Sequence, residues 1–169
     1  MAAQGQKKEF ALDSNILFDL AAEKDFAHTF REGYQERGYS LKVPPTVIQE
    51  LTYYAVEKKC AETQLAIKAL QQMRHWHLLP YDLKSVGHGI TEQFSERLIR
   101  AQLLPQDEFN DGLILAETAL AFIPVLVTSD SDLLNIEEAE LRIQFEDADL
   151  MPVQVFHPKR LSKAIALNK

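Results

Sequence analysis

Apolar positions along this chain change spacing repeatedly, from continuous or alternating runs of strand length to recurrences of three and four residues. Residues 9–12 read as a short buried strand; Asp13-Ser14-Asn15 then offers helix-capping side chains ahead of Ile16, Leu17, Leu20 and Ala21. The chain is thus predicted to switch from strand to helix at Asp13. A second helix is predicted over 26–37, closed by Gly38, and a second strand over 40–43. Pro44-Pro45 stops that strand, and Thr46 is placed to cap the next helix. That helix carries Val47, Ile48, Leu51, Tyr54 and Ala55 on one face, with Lys58 and Lys59 at the end where cations suit the helix dipole. A helix over 61–74, a short strand over 76–79, a loop over 81–90 and a helix over 91–104 ending at Pro105 follow. Residues 111–122 are apolar nearly all round, which predicts a central buried helix. Residues 125–127 read as a buried strand, 128–132 as a turn opening a short helix, 141–145 and 153–156 as two more strands, and Pro158 as the start of a terminal helix.

Strands that alternate with helices predict an α/β fold of three layers, α/β/α, around a mostly parallel sheet. No repeat, low-complexity tract or linker interrupts the 169 residues, which fit one domain with residues 1–7 as a flexible N-terminus. A hydrophobic content of 46% is enough for a well-formed core. The longest apolar run, 119–127, is broken by Pro124 and is far shorter than the roughly 20 residues of a membrane span. The opening residues lack the pattern of a secretory signal, so a cytoplasmic protein with no membrane partner is expected. Cys60 is the only cysteine, which rules out an intramolecular disulfide or a cysteine zinc site built from this chain alone; it reads as a small core residue. A net charge of −7 argues against coating duplex DNA through a basic surface and leaves room for a local basic rim.

In an open parallel sheet, ligands gather at the carboxyl ends of the strands. Acids fall at those places in four separate segments: Asp13 after the first strand, Glu50 in the first turns after Pro44-Pro45, Asp111 opening the buried helix, and Asp130 and Asp132 after strand 125–127. Singly, Asp13, Asp111 and Asp132 also suit helix capping, and Glu50 also suits a solvated helix edge. Together they mean something more, because carboxylates a few ångströms apart repel unless a cation intervenes. Oxygen ligands without Cys or His favour Mg²⁺ or Mn²⁺, and the implied chemistry is phosphodiester hydrolysis.

Here the segments resemble a known family. Leu12-Asp13-Ser14-Asn15-Ile16-Leu17, Val43-Pro44-Pro45-Thr46-Val47-Ile48-Gln49-Glu50-Leu51, Asn110-Asp111-Gly112-Leu113-Ile114-Leu115-Ala116-Glu117 and Val127-Thr128-Ser129-Asp130-Ser131-Asp132-Leu133 are similar, in order, to the four acidic motifs of PIN-domain nucleases, the PilT N-terminus-like ribonucleases that include toxin–antitoxin ribonucleases. Val155-Phe156-His157-Pro158-Lys159-Arg160-Leu161 is similar to the family's closing strand, proline and terminal helix. The match runs over residues 8–166, with 60–104 contributing only helical pattern. The resemblance implies a PIN-like three-layer fold and a metal-dependent endoribonuclease acting on single-stranded RNA. Asp13, Glu50, Asp111 and Asp130 would be its catalytic acids and its ligands for Mg²⁺ or Mn²⁺, with Asp132 sharing or replacing Asp130 and Asn15 in support. An antitoxin or other protein is the implied partner, and a homodimer is left open.

Other features carry a structural reading beside a functional one. Asp107 could support a metal but suits a loop or helix start, and Glu117 is expected in a paired or edge position. His75-Trp76-His77 reads as a half-buried strand rather than a base-stacking platform. His157 reads as local structure, and Gly87-His88-Gly89 lacks the spacing of a phosphate loop. Arg31, Arg37, Lys58, Lys59, Arg97, Arg100, Lys159 and Arg160 are the cations available to an RNA backbone, spread over several helices with solvation as their default. Two rivals stand beside the nuclease: a noncatalytic PIN-like module acting through a protein partner, and a phosphatase or phosphoacceptor. The latter ranks last, because Asp13-Ser14-Asn15 lacks a second aspartate two residues on.

Overall fold

The structure, a computed structural model, describes residues 7–57 and 60–166. Its first segment, β1 (Glu9–Leu12), occupies the middle of the sheet, flanked by β2 (Ser40–Val43) and then β3 (Leu78–Pro80) on one side and by β4 (Val125–Val127) and then β5 (Gln154–Phe156) on the other. All four pairings are parallel. Parallel neighbours require crossovers, and helices supply them: α1 (Ser14–Ala21) and α2 (Asp25–Glu36) between β1 and β2, and α3 (Pro45–Val56) and α4 (Glu62–Gln72) before β3. Next come α5 (Ser85–Arg100) and α6 (Phe109–Leu120) before β4, α7 (Ser131–Leu134) and α8 (Glu138–Asp147) before β5, and α9 (Pro158–Ala166) at the end. Helices cover both faces, which is why Phe10, Ala11, Leu12, Val125, Leu126 and Val127 are buried without alternation. Among the described residues no helix is long and apolar enough to cross a membrane.

The chain builds β1, β2 and β3 outward in one direction and returns to the other side of β1 for β4. That reversal opens a crevice at the carboxyl ends of β1 and β4, the place where side chains from both strands and from the following helices can meet.

Several sequence-based expectations change. Residues 141–145 are helical, within α8: Leu141 and Phe145 point into the core while Ile143 is half-exposed, so the spacing that matters is four rather than two. Helix α5 begins at Ser85, so Gly87-His88-Gly89 sits inside a helix rather than a loop. Residues 73–77 form a turn, with Trp76 buried and the strand starting only at Leu78. Pro45 opens α3 with Pro44 at the cap, so Thr46 lies inside the first turn instead of capping it. Cys60 is half-buried, its sulfur 3.8 Å from the Thr63 hydroxyl, and is not a core residue. Lys58 and Lys59 lie outside the described residues, as do residues 1–6 of the expected flexible N-terminus; Lys7 donates to the Phe122 carbonyl at 3.1 Å.

One close approach fixes where α6 begins. The Ser95 hydroxyl of α5 donates to the Phe109 carbonyl at 2.6 Å, and Gly112 lies directly beneath Ser95. A Cβ at Gly112 would meet Ser95 Oγ and would come within 2.6 Å of its Cβ and 2.7 Å of its Cα, so α5 could make room only by moving its backbone. Gly112→Ala is expected to cost about 2 kcal/mol by overpacking, which lowers Tm by about 4–8 °C for a chain of this size. Thermal denaturation reading an unchanged Tm would mean the helices are not this close.

Candidate metal centre

Leu12 pairs with Val127, so the residues that follow, Asp13 and Thr128, leave the sheet side by side in the crevice. Asp13 ends β1 in an extended conformation and caps α1: Oδ1 accepts the Ser14 amide at 2.7 Å. Its Oδ2 accepts the Thr128 hydroxyl at 2.7 Å. Asn15, the second residue of α1, ties the two strand ends together, donating from Nδ2 to Thr128 Oγ1 at 3.1 Å and accepting the Ser129 amide on Oδ1 at 3.1 Å. The predicted supporting residue therefore positions the β4 turn against Asp13. Thr128 itself was missed by sequence reading, although the strand register that places it is simply the continuation of β1 alongside β4.

Helix α6 brings Asp111 into the same crevice at its third position, 7% exposed. Asp130 caps α7, accepting the Asp132 amide at 2.9 Å. Carboxylate oxygens of Asp13, Asp111 and Asp130 lie within 4.8 Å of one another, so three of the four predicted acids converge from three separate elements. A second group of the same dimension joins Asp130 to Asp132 and Glu108 toward solvent. Glu108 was not anticipated; it precedes Asp111 by three residues, a helical spacing that puts both on one side of the α6 start. Glu50 belongs to neither group, yet it lies near enough for the Asp13 charge to act on it.

The electrostatics follow from crowding. Burial pushes the Asp13 carboxyl up to about 6 against the lowering effect of its Thr128 and Ser14 hydrogen bonds, with Asp130 and Glu108 adding to the rise. Burial likewise pushes Glu50 up to about 7, reinforced by the charge on Asp13. Asp111 is raised furthest, by burial first and then by Asp13 and Asp130, and Glu108 is raised by burial and its acidic neighbours. Two buried oxygens here, Asp111 Oδ2 and Glu50 Oε1, have no hydrogen-bond partner among the described residues. Buried acceptors are ordinarily satisfied, so Asp111 Oδ2 is suited to a cation rather than to a protein donor, while the Ser14 hydroxyl is near enough to Glu50 to oppose the rise of its carboxyl. An all-carboxylate donor set with orphaned oxygens fits a hard divalent ion such as Mg²⁺ or Mn²⁺.

Glu117 is paired, as expected, and its partner explains the Thr46 correction. Glu117 is 2% exposed and reaches from α6 to the start of α3, accepting the Thr46 amide at 3.0 Å and the Thr46 hydroxyl at 2.6 Å. It thus caps α3 from another helix. Thr46 and Glu50 are one turn apart on α3, so this clamp sets the height of Glu50 relative to Asp111, which shares α6 with Glu117. Glu117→Leu removes both acceptors, leaving the buried Thr46 amide and hydroxyl without a partner, and is expected to cost about 1–3 kcal/mol in urea unfolding; a neutral result would remove Glu117 from the positioning of α3.

The remaining candidates lie elsewhere. Asp107 is exposed. The His157 ring accepts the Lys159 amide at 3.1 Å, a local turn contact. His75 and His77 are exposed on the turn before β3. Arg31 bonds Gln35 and Glu32 on α2, Arg37 bonds the Gly33 carbonyl, and Lys159 and Arg160 rest over the Phe26 and Phe156 rings. Arg97 and Arg100 line a cavity of about 500 Å³ between α5 and the end of α8.

No family model matches this chain, and no curated protein matches it. Among solved structures, VapBC2 from Rickettsia felis bound to a DNA fragment from their promoter superposes with a TM-score of 0.60, covering 88% of this chain and 98% of that one at 16% identity. The chain has a PIN-like fold. In this PIN-like fold the acidic crevice at the β1–β4 switch point is where the acids of the first, third and fourth motifs come together, and it has oxygens to offer a metal.

Proposed function

We propose that the chain is a metal-dependent endoribonuclease that hydrolyses phosphodiester bonds of single-stranded RNA. The observation that carries this reading is the convergence of Asp13, Asp111 and Asp130 within 4.8 Å around a buried Asp111 oxygen that no protein donor satisfies. In this reading Asp13, Asp111 and Asp130 hold Mg²⁺ or Mn²⁺, with Asp132 and Glu108 on the solvent side and Asn15 holding Asp13 and the β4 turn in register. A bound ion would supply water activation and stabilisation of the charge that builds on the phosphate. Asp13 is fixed for that work by the Ser14 amide and the Thr128 hydroxyl, so its orientation costs nothing at the moment of reaction. Glu50, with its carboxyl at about 7 and Oε1 unpartnered, suits accepting a proton from the attacking water near neutral pH.

Purified protein incubated with single-stranded RNA is expected to cleave it with Mg²⁺ or Mn²⁺, to stop in EDTA, and to be inactive as Asp13→Asn. Cleavage that survives Asp13→Asn would assign the activity to another site or protein. The second reading, a noncatalytic module working through an antitoxin or other protein partner, draws on the net charge of −7 and on the fold neighbour being part of a toxin–antitoxin assembly. Calorimetric titration with Mn²⁺ separates the two, because a scaffold has no need of the ion. An antitoxin partner is compatible with the nuclease reading as well, and a cytoplasmic location would suit both.

A further inference from the structure

Beside the acids, on the α3 side, lies a cavity of about 320 Å³ that the metal centre does not use, bounded by Gln49, Glu50, Tyr53, Tyr54 and Asn110. Its construction follows from helical spacing. Gln49 and Tyr53 are one turn apart on α3, as are Glu50 and Tyr54, so one stripe of the helix carries a carboxamide and an aromatic ring beside the stripe that carries the acid. On α6, Asn110 immediately precedes Asp111 and lines the opposite wall. Asn110 is thus the chain neighbour of a centre acid, and Gln49 that of Glu50. Tyr54 is braced edge-on against Phe18 of α1 at 5.5 Å and against Tyr53 at 5.9 Å, while Tyr53 remains 50% exposed. A half-exposed ring beside a crevice, with two carboxamides at its margin, is surplus to the core.

We propose that this cavity is a nucleobase subsite for the RNA strand, in which a base next to the scissile phosphate stacks on Tyr53 while Gln49 and Asn110 hydrogen-bond its polar edge. This rests on the ribonuclease reading and adds to it how the strand is held. Charge favours it: a chain of net −7 gains little from the field of its surface toward a polyanion, and stacking is the contribution to single-strand binding that needs no cation. Size favours it too, since the cavity is at the scale of small-ligand sites and opens beside Glu50 rather than across the molecule. Carboxamides present a donor and an acceptor together, the pattern a base edge requires.

The test uses single-stranded RNAs of about ten nucleotides, a length within ordinary single-strand site sizes, each with one abasic position moved along the strand. Binding is read by fluorescence anisotropy with Ca²⁺ and cleavage with Mn²⁺, for the wild-type chain, Tyr53→Ala and Tyr53→Trp. An abasic position adjacent to the cut is expected to weaken wild-type binding by at least about fivefold, the low end of a base–aromatic stack. Tyr53→Ala is expected to lose that sensitivity and Tyr53→Trp to keep it, with Mn²⁺ affinity unchanged in both. Wild-type cleavage that ignores both the abasic position and Tyr53→Ala overturns the subsite while leaving the ribonuclease reading intact. A wild-type chain that neither binds nor cleaves RNA removes both.

Discussion

Asp111→Asn is expected to lower Mn²⁺-dependent RNA cleavage by more than about 100-fold, because removing a group that merely supports a metal ligand already costs about 10- to 100-fold. The same substitution is expected to raise the Tm of the metal-free protein at pH 8. The two effects have one cause. Asp111 is 7% exposed, its Oδ2 has no donor, and Asp13 and Asp130 face it, so its charged form is disfavoured by burial and by repulsion together. Asparagine keeps the shape and removes the charge. Relief of at least about 1 kcal/mol corresponds to about 2–4 °C in a chain of this length. A stabilised but inactive variant would separate a functional acid from a structural one, since a capping or core-pairing aspartate loses stability when neutralised. Lower stability together with retained cleavage would place Asp111 outside the centre.

The strand ends and the acids that follow them were legible because both are local. A buried strand followed by Asp-Ser-Asn, and another followed by Thr-Ser-Asp, carry their cap chemistry with them, and a parallel sheet then forces the two strand ends together. What was not legible depended on contacts between distant segments. Thr46 is the expected cap residue by type, yet Pro45 opens α3 and Glu117, 71 residues away, satisfies the Thr46 amide. Leu141-Arg142-Ile143-Gln144-Phe145 fits an alternating strand and a helical turn equally well; the core contacts of Leu141 and Phe145 decide it, with Glu138 and Glu140 in the first turn suiting a helix start. Residues 81–90 read as a loop, yet the buried row Thr91, Phe94, Ser95 and Leu98 belongs to a helix that begins at Ser85 and runs through Gly87 and Gly89. Glu108 escaped notice because its value comes only from sharing the α6 start with Asp111. The Tyr53 cavity escaped for a related reason: its aromatic and amide residues look like ordinary helix surface until α6 brings Asn110 opposite.

Protonation and metal binding compete for the same oxygens, and this sets the direction of the pH dependence. In the metal-free folded chain the Asp13 carboxyl sits at about 6 and that of Glu50 at about 7, against ordinary values of 3.8 and 4.5. Both are raised, so between about pH 4 and pH 7 the folded state binds more protons than the unfolded state, and their stabilisation is complete at the acid end and lost as pH rises through the folded values. The loss is about 3 kcal/mol for Asp13, at 1.36 kcal/mol per unit, and Glu50 and Asp111 act in the same direction. In EDTA, Tm is therefore expected to be higher at pH 5 than at pH 8 by about 5–10 °C. Adding Mn²⁺ is expected to restore stability at pH 8, by about 2.7 kcal/mol at a hundredfold excess over Kd, and to do far less at pH 5, where protons hold the ligand oxygens. Most folded proteins whose carboxylates are engaged in ion pairs lose stability toward acid, so the opposite slope is diagnostic of acids gathered without counter-charges. Metal-free stability that is flat or rises from pH 5 to pH 8 would mean that these side chains do not share one crevice.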